Sequence, residues 1–545
     1  MPVQSLSQTS FFDPEFADPG CLERGTMAWA LANYRSELFP AWIFRGWHGQ
    51  GTLGRDAWPA VVLMTLLVLQ WSEEGMSRRC AARTARLNTA WRAAMGLCLG
   101  APTPSEKVLR VFGKFMRERH PDTGVPRYLV LHEHWVRLCR GKGIGGPKAV
   151  WSMDSTPMWC YGAVLDTVRL LGDGLRMLAE QWSMLTGVAL ADLAARWKAP
   201  WLCAKSTKGA FHVEWRDGDV KPEVTHQLAT AVLTAVPQIR QELIRVRPGK
   251  RKALLRRCRS LCRVVADDLE VDGKGRLVIA ERVAANRLVS MTDPQARHGR
   301  KSRSKTFNGF KVHVLGDVVS GLIAAVSVTA GNGHDGAPAH PLIRRARALN
   351  SELRRVLADT AYGGARLRHL VRRAEGVDLL APPPTVTLPE GKLGRESILL
   401  DFEAQTATCA AGTSDRLMVW SADYNLHVPR FKWPAKTCNA CPLAEACRGA
   451  RHGGNQVKLH PYETELRAAR KAWEQPAVRQ DYRTRSQCER LVNQLTRHGA
   501  RQARAWGIGA AHFQAHLVAM RCNLALLARA WATEKSASEA CGKTK

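Results

Sequence analysis

Acidic side chains are scarce in this chain. Only 48 Asp and Glu stand against 80 Lys and Arg, a formal charge of +32 over 545 residues. A field of one sign attracts a polyanion and raises non-specific affinity for it. Nucleic acid is the expected partner, and an anionic membrane surface is the competing one. Long apolar runs are missing too. The longest, Trp58 to Leu69, is too short to cross a bilayer. The stretch from Met1 to Ser10 has no basic start leading into an apolar centre, so no secretory signal is expected. Regular cysteine spacing is largely absent as well. Most of the 15 cysteines are scattered through helical or basic stretches, which argues for reduced cytosolic thiols and against a disulfide framework.

The length calls for about two to four domains. Residues 1–145 read as a helical DNA-binding domain. Trp58–Gln70 suits a buried helix with Pro59 in its first turn, and Ser77 suits the cap of the next. After Thr103-Pro-Ser105 comes a helix on which Val108, Leu109, Phe112 and Phe115 share one side. The loop Gly141-Lys-Gly-Ile-Gly-Gly-Pro147 lacks a Gly-Lys-Ser/Thr ending, so it reads as a domain joint and not as a phosphate loop.

Two aspartates follow short apolar runs: Asp154 in Val150-Trp-Ser-Met-Asp-Ser-Thr156, and Asp359 in Val356-Leu-Ala-Asp-Thr-Ala-Tyr362. Between them, Thr306–Val314 and Gly321–Thr329 read as two strands of a hairpin turning at Gly316-Asp317. A helix is expected over 338–349, a strand over 355–359, a helix over 365–371 and a strand from Asp378. With the Asp154 strand in front, the order is strand, strand, strand, helix, strand, helix, strand. That order gives an α/β fold: a ribonuclease-H-like mixed sheet built from 146–160 and 293–385. It is interrupted by a helical basic insertion over 161–292. Its first and fourth strands lie side by side, so Asp154 and Asp359 are expected to meet. A third carboxylate, Glu489, falls in a helix with Tyr482 and Arg485 on the same face. Carboxylate oxygens suit Mg²⁺ or Mn²⁺, and two such ions can clamp a phosphodiester undergoing displacement. The catalytic expectation is therefore Asp154, Asp359 and Glu489. Asp293, Asp317, Asp335, Glu403 and Glu465 are the competitors, with Asp317 fitting a turn.

The insertion carries Arg245, Arg247, Lys250, Arg251, Lys252, Arg256, Arg257, Arg259 and Arg263 with no acidic residue among them, beside Leu254, Leu255, Cys258 and Leu261 on an apolar face. Such a cluster suits phosphate and says nothing about base sequence. Arg251, Lys252, Arg256, Arg257, Arg259, Lys301, Arg303, Lys305, Lys311, Tyr482, Arg485, Arg497 and Arg501 are the candidate DNA contacts. Over 386–460, Cys409, Cys438, Cys441 and Cys447 form a small Cys-rich insertion. The Cys438-x₂-Cys441 bite suits tetrahedral zinc in a structural site, with an unliganded cluster and an iron–sulfur site as the alternatives. Residues 461–535 read as helices completing the core; the last, Phe513–Ala532, buries Leu517, Met520, Leu524 and Leu527. The tail, 536–545, reads as disordered.

Several of these stretches resemble bacterial insertion-sequence transposases of the DDE class, the IS1182 family most. They are Asp154-Ser-Thr, Asp293-Pro-Gln-Ala-Arg-His-Gly-Arg-Lys-Ser, Phe307-Asn-Gly-Phe-Lys-Val-His, Ala358-Asp-Thr-Ala-Tyr-Gly, Cys438-x₂-Cys-Pro-x₄-Cys447 and Tyr482-x₂-Arg-x₃-Glu489. Leu66–Gly96 resembles the family's helical DNA-binding region. Where the family signature continues with lysine or arginine, Thr496 stands here and Arg497 follows. The resemblance implies a DNA transposase of the bacterial cytoplasm, nucleoid-associated. It would bind terminal inverted repeats of double-stranded DNA, cleave element ends and transfer their 3′-OH ends to target DNA, as a homodimer or larger assembly. A metal-dependent nuclease without strand transfer and a non-catalytic DNA-binding regulator are the alternatives.

Overall fold

A computed structural model describes residues 22–542 apart from 48–56, 73–74, 99, 212, 216, 303, 386–387, 402, 416–417, 424–425 and 449–453. Two compact units emerge. One comprises Met1–Ala149, Asp154–His334 and Cys488–Lys545, the other Val150–Met153 and Asp335–Gln487. They are coarser than the segments read from the sequence, and divide the strand-rich stretch 293–385 between His334 and Asp335.

The first unit opens with helices. α1 (Ala60–Leu69) is apolar on every side and almost wholly buried, as such a helix must be. Pro59 caps it from outside, one place before the expected first-turn position. α2 (Arg78–Leu87) and α3 (Glu106–Arg117) begin at Ser77 and Ser105. Their hydroxyls accept the Cys80 N–H (3.1 Å) and the Val108 N–H (3.4 Å), satisfying amides that a helix start leaves open. α3 buries Leu109, Phe112 and Phe115 and exposes Lys107, Arg110 and Lys114. α4 (Arg127–Gly141) buries Trp135 and leads to the strand β1 (Trp151–Trp159).

β1 corrects one expectation. Asp154 follows its apolar run as a strand-end residue would, yet the strand runs on to Trp159. Its further half has neighbours: the Cys160 N–H donates to the Asn308 carbonyl (2.9 Å) and the Trp159 N–H to that of Arg501 (2.8 Å). Backbone pairing here overrides the local turn preference of Ser, Thr and Pro. The helices that follow include α5 (Thr167–Thr186), α6 (Val220–Glu242) and α7 (Pro248–Asp268). They enclose a core that includes Leu171, Leu175, Trp182, Leu228, Val232, Leu254 and Leu261. From Lys250 onward the basic run lies on α7, with Leu254, Cys258 and Leu261 buried, as its pattern requires.

After a short antiparallel pair, Leu269–Val271 with Leu277–Ile279, come β2 (Arg297–Arg300), β3 (Thr306–Asp317) and β4 (Ile323–Ala330), β3 pairing antiparallel with both others. The β3–β4 hairpin is the expected one. β2 is not anticipated, because Arg-His-Gly-Arg offers no apolar alternation to read. Gly309 sits at φ 153°, and a Cβ there would meet the Met158 carbonyl and stand 2.6 Å from the Cys160 nitrogen. Both are backbone atoms that cannot swing aside. Gly309→Ala is expected to cost about 3 kcal/mol or more, read as a fall in the thermal midpoint.

In the second unit come α8 (Ala339–Leu349), β5 (Arg355–Leu357), α9 (Ala365–Glu375) and β6 (Asp378–Leu380). Ser152 of β1 pairs in parallel with Leu357, and Val356 in parallel with Leu379. Strand order is β4-β3-β1-β5-β6, with β2 also on β3. This is a curled mixed sheet flanked by helices, consistent with a ribonuclease-H-like core. The Cys-rich part adds short antiparallel strands over a small core of Ile398, Ala407, Phe431, Trp433 and Leu459. α10 (Glu463–Glu474) and α11 (Pro476–Arg483) close the unit.

α12 (Cys488–Leu495) and α13 (Ile508–Gly542) return to the first unit. α13 buries Leu517, Met520, Leu524 and Leu527 and packs on α4 and β4. Its Asn523 accepts the Ile323 N–H (3.0 Å) and donates to the Ile323 carbonyl (2.9 Å), satisfying the strand edge. The helix runs on through Gly542, into the tail that reads as unstructured. There Glu539 receives a two-pronged ion pair from Arg24, both bonds 2.8 Å. No helix among the described residues is long and apolar enough to cross a membrane.

Candidate active site

Asp154 lies inside β1, half-buried, with one carboxylate oxygen accepting the Ser155 N–H at 2.7 Å. Asp359 lies just past β5. It caps the single 3₁₀ turn Thr360–Tyr362, accepting the Ala361 N–H at 3.0 Å. A fixed turn of this kind anchors one carboxylate oxygen and leaves the other free to engage a cation. That other oxygen faces the Arg485 guanidinium at 3.8 Å.

This pairing changes the reading of Tyr482, Arg485 and Glu489 as one helical face. The helix is broken: α11 ends at Arg483, a 3₁₀ turn spans Thr484–Gln487, and α12 begins at Cys488. Ser486 Oγ bonds back to the Arg483 carbonyl (2.9 Å), the local competition that makes short hydroxyl residues poor helix interiors. Arg485 therefore pairs with Asp359, and Tyr482 meets Trp473 edge-on at 4.9 Å between ring centroids. Glu489 is exposed in the first turn of α12.

Burial pushes the Asp359 carboxyl above the ordinary aspartate range, and the charge of Asp335 adds to the rise; Arg485 and the Ala361 N–H pull the other way. The folded chain thus holds this proton more tightly than the unfolded one. The resulting stabilisation is full below the ordinary aspartate range and is lost as pH rises through the raised value. Asp359→Asn is accordingly expected to raise the melting temperature at neutral pH, with the gain vanishing on acidification. Calorimetry across that range would show it; a lowered midpoint at neutral pH would contradict it.

The competing acids have structural occupations. Asp317 accepts the Val319 and Ser320 N–H groups and the Ser320 hydroxyl, as a turn residue does. Buried Asp293 accepts the Gly507 N–H, Glu465 pairs with Arg372 at 3.1 Å, and Glu403 is exposed. Asp335 matters through its field on Asp359. Lys311, expected near phosphate, donates to the Gly333 carbonyl at 2.9 Å and so ties down the glycine-rich loop after β4.

Of the remaining candidate contacts, Lys252, Arg256 and Arg259 are exposed on α7, with Arg251 and Arg257 half-buried. Lys301 and Lys305 are exposed between β2 and β3, and Arg497 and Arg501 beyond α12. Arg303 lies outside the described residues. The four cysteines of the Cys-rich part, Cys409, Cys438, Cys441 and Cys447, line one pocket of about 40 Å³ with Trp433 and Asn455. The Asn455 N–H donates to Cys438 Sγ (3.3 Å) and its side-chain amide to Cys447 Sγ (3.0 Å). The donor set suits a soft tetrahedral ion, and N–H donors aimed at sulfur suit thiolates. As the side chains lie, no group of three or more His, Cys, Asp or Glu among the described residues is gathered tightly enough to hold a metal.

Residues 408–528 match the family described as transposase DDE domain. The match contains the four cysteines and Glu489 and stops short of Asp154 and Asp359. Neither the curated proteins nor the solved structures contain a match to the chain. A transposase DDE domain and a ribonuclease-H-like sheet are together consistent with the nuclease and transposase superfamily.

Proposed function

We propose that this chain is an insertion-sequence transposase of the DDE class, of the IS1182 kind. It binds the terminal inverted repeats of its element, cleaves the ends and transfers the 3′-OH ends to target DNA. The observation that carries this reading is a strand register. Ser152 stands opposite Leu357 on parallel strands, and Asp154 and Asp359 each follow two residues on. In a ribonuclease-H-like sheet this register argues for one carboxylate pair, with Glu489 as the third member. Their hard, anionic oxygens fit Mg²⁺ or Mn²⁺, which when bound would offset charge on the attacking and leaving oxygens.

The chain's own side chains have separable tasks. Asp154, Asp359 and Glu489 hold the ions, and Arg485 favours the ionised form of Asp359 against its burial. The exposed bases of α7 and of the β2–β3 loop hold the DNA backbone without reading sequence. The four cysteines hold a structural Zn²⁺. Two element ends must be kept together, so a homodimer or larger assembly on DNA is part of this reading, as is action in the bacterial cytoplasm.

The test is strand cleavage and joining on duplex DNA carrying the gene's own flanking ends, with Mg²⁺ or Mn²⁺. End-specific nicks and joined products are expected. Cutting without joining would reassign the chain as a nuclease. Binding with no breakage at any metal concentration would reassign it as a regulator.

A further inference from the structure

We propose that the first unit holds a pocket for one unpaired nucleotide of a DNA strand, its base stacked on Tyr161 and Trp506 and its phosphate beside Arg78 and Arg504. The inference rests on the reading that DNA is the substrate.

Exposed aromatic rings are the starting observation. Trp159, Tyr161 and Trp506 are 41%, 52% and 59% exposed, and Trp42 is the one other aromatic among the large exposed apolar side chains of the described residues. Two of these rings, Tyr161 and Trp506, meet on the surface and are not scattered residues. Tyr161 and Trp506 face each other at 5.6 Å between ring centroids, tilted by 58°. The backbone beneath them is pinned. The Trp159 N–H donates to the Arg501 carbonyl and the Ala503 N–H to the Trp159 carbonyl, both 2.8 Å, and the Gln502 amide donates to the Cys160 carbonyl at 2.8 Å. The rings are thus presented by a rigid ledge, which keeps the entropy lost on stacking a base small.

Beside the ledge opens a cavity of about 220 Å³, lined by Tyr161, Arg504, Ser77, Arg78, Trp71 and Gln514 among others. It is far roomier than a water needs. The buried Trp71 indole N–H has no acceptor among the described residues. Arg78 is pressed toward its neutral form by burial and by Arg117 and Arg110, with Glu106 alone opposing, so an anion beside it would relieve the strain. Arg504 is steadied by one bond to the Gly75 carbonyl at 2.9 Å. The Tyr161 ring on the lining with Trp506 against it, two guanidinium groups set against the single Glu106 carboxylate, and an unused N–H donor suit the parts of a nucleotide. A duplex offers no free base face, so the occupant is an unpaired residue.

The experiment compares a blunt duplex with the same duplex bearing a short single-stranded overhang, by fluorescence polarisation with the full chain. Wild type should prefer the overhang. Tyr161→Ala and Trp506→Ala should each weaken overhang binding about 5- to 150-fold, the stacking contribution of one base, and leave blunt-duplex binding unchanged. A 5-iodouracil in the overhang should photo-crosslink to Tyr161 or Trp506. If wild type binds both DNAs equally, or the variants keep the preference, the pocket is overturned and the DNA reading stands. If wild type binds neither DNA at low salt, the DNA reading fails and the pocket with it.

Discussion

Asp154→Asn and Asp359→Asn are each expected to lower strand cleavage by on the order of a thousandfold or more, with DNA binding unchanged. The neutral amides keep shape and hydrogen-bonding capacity while removing the charge that draws a divalent ion. Asp359 is the sharper test, because its setting is visible in detail. One oxygen is committed to the Ala361 N–H and the other faces Arg485 at 3.8 Å. Asparagine can keep the first contact through its carbonyl oxygen, so the turn survives while the ligand is lost. Glu489→Gln is expected to follow the same pattern. Arg485→Gln should act differently. Without the guanidinium, burial and Asp335 are opposed only by backbone N–H groups, and the activity profile should move to higher pH while activity at its plateau is largely kept. Single-turnover cleavage of labelled end DNA, read beside polarisation binding, separates these outcomes. Cleavage surviving in either aspartate variant would remove that residue from the site.

Much of this arrangement is written in local patterns. Serines before apolar periodicity start α2 and α3, and the alternation around Phe307 and Val312 makes β3, because caps and side-chain period need no distant partner. What escapes the pattern depends on remote contact. β1 outlasts its turn-like Asp-Ser-Thr-Pro stretch because Asn308 and Arg501 supply backbone partners. β2 is a strand only because β3 lies beside it. Arg485 faces Asp359, beside a helix break at Thr484–Gln487 that the i, i+3, i+7 spacing hides.

Cys438→Ser and Cys441→Ser should produce the second large effect, and it is structural. The Cys-rich part has two short antiparallel sheets, and its buried cluster among the described residues is Ile398, Ala407, Phe431, Trp433 and Leu459, with Cys409 and Cys438 packed against it. Apolar burial on that scale rarely holds a small fold, which ordinarily needs disulfides or a metal. The cysteines are free thiols, so on the proposed reading the bridging role would fall to an ion. Zinc would bind the four sulfurs as thiolates with release of their protons, and a structural zinc contributes on the order of 10 kcal/mol to such a fold. The protein purified with zinc in the medium is expected to carry about one zinc per chain, the count of a single Cys₄ site. Either serine variant should lose it. Chelation should open residues 398–459 to proteolysis, and added zinc should close them again, while the melting of the first unit is left in place. Metal-free protein with the same protease resistance before and after chelation would leave the cysteines as an unliganded cluster; iron in place of zinc would change the ion and the chemistry expected of it.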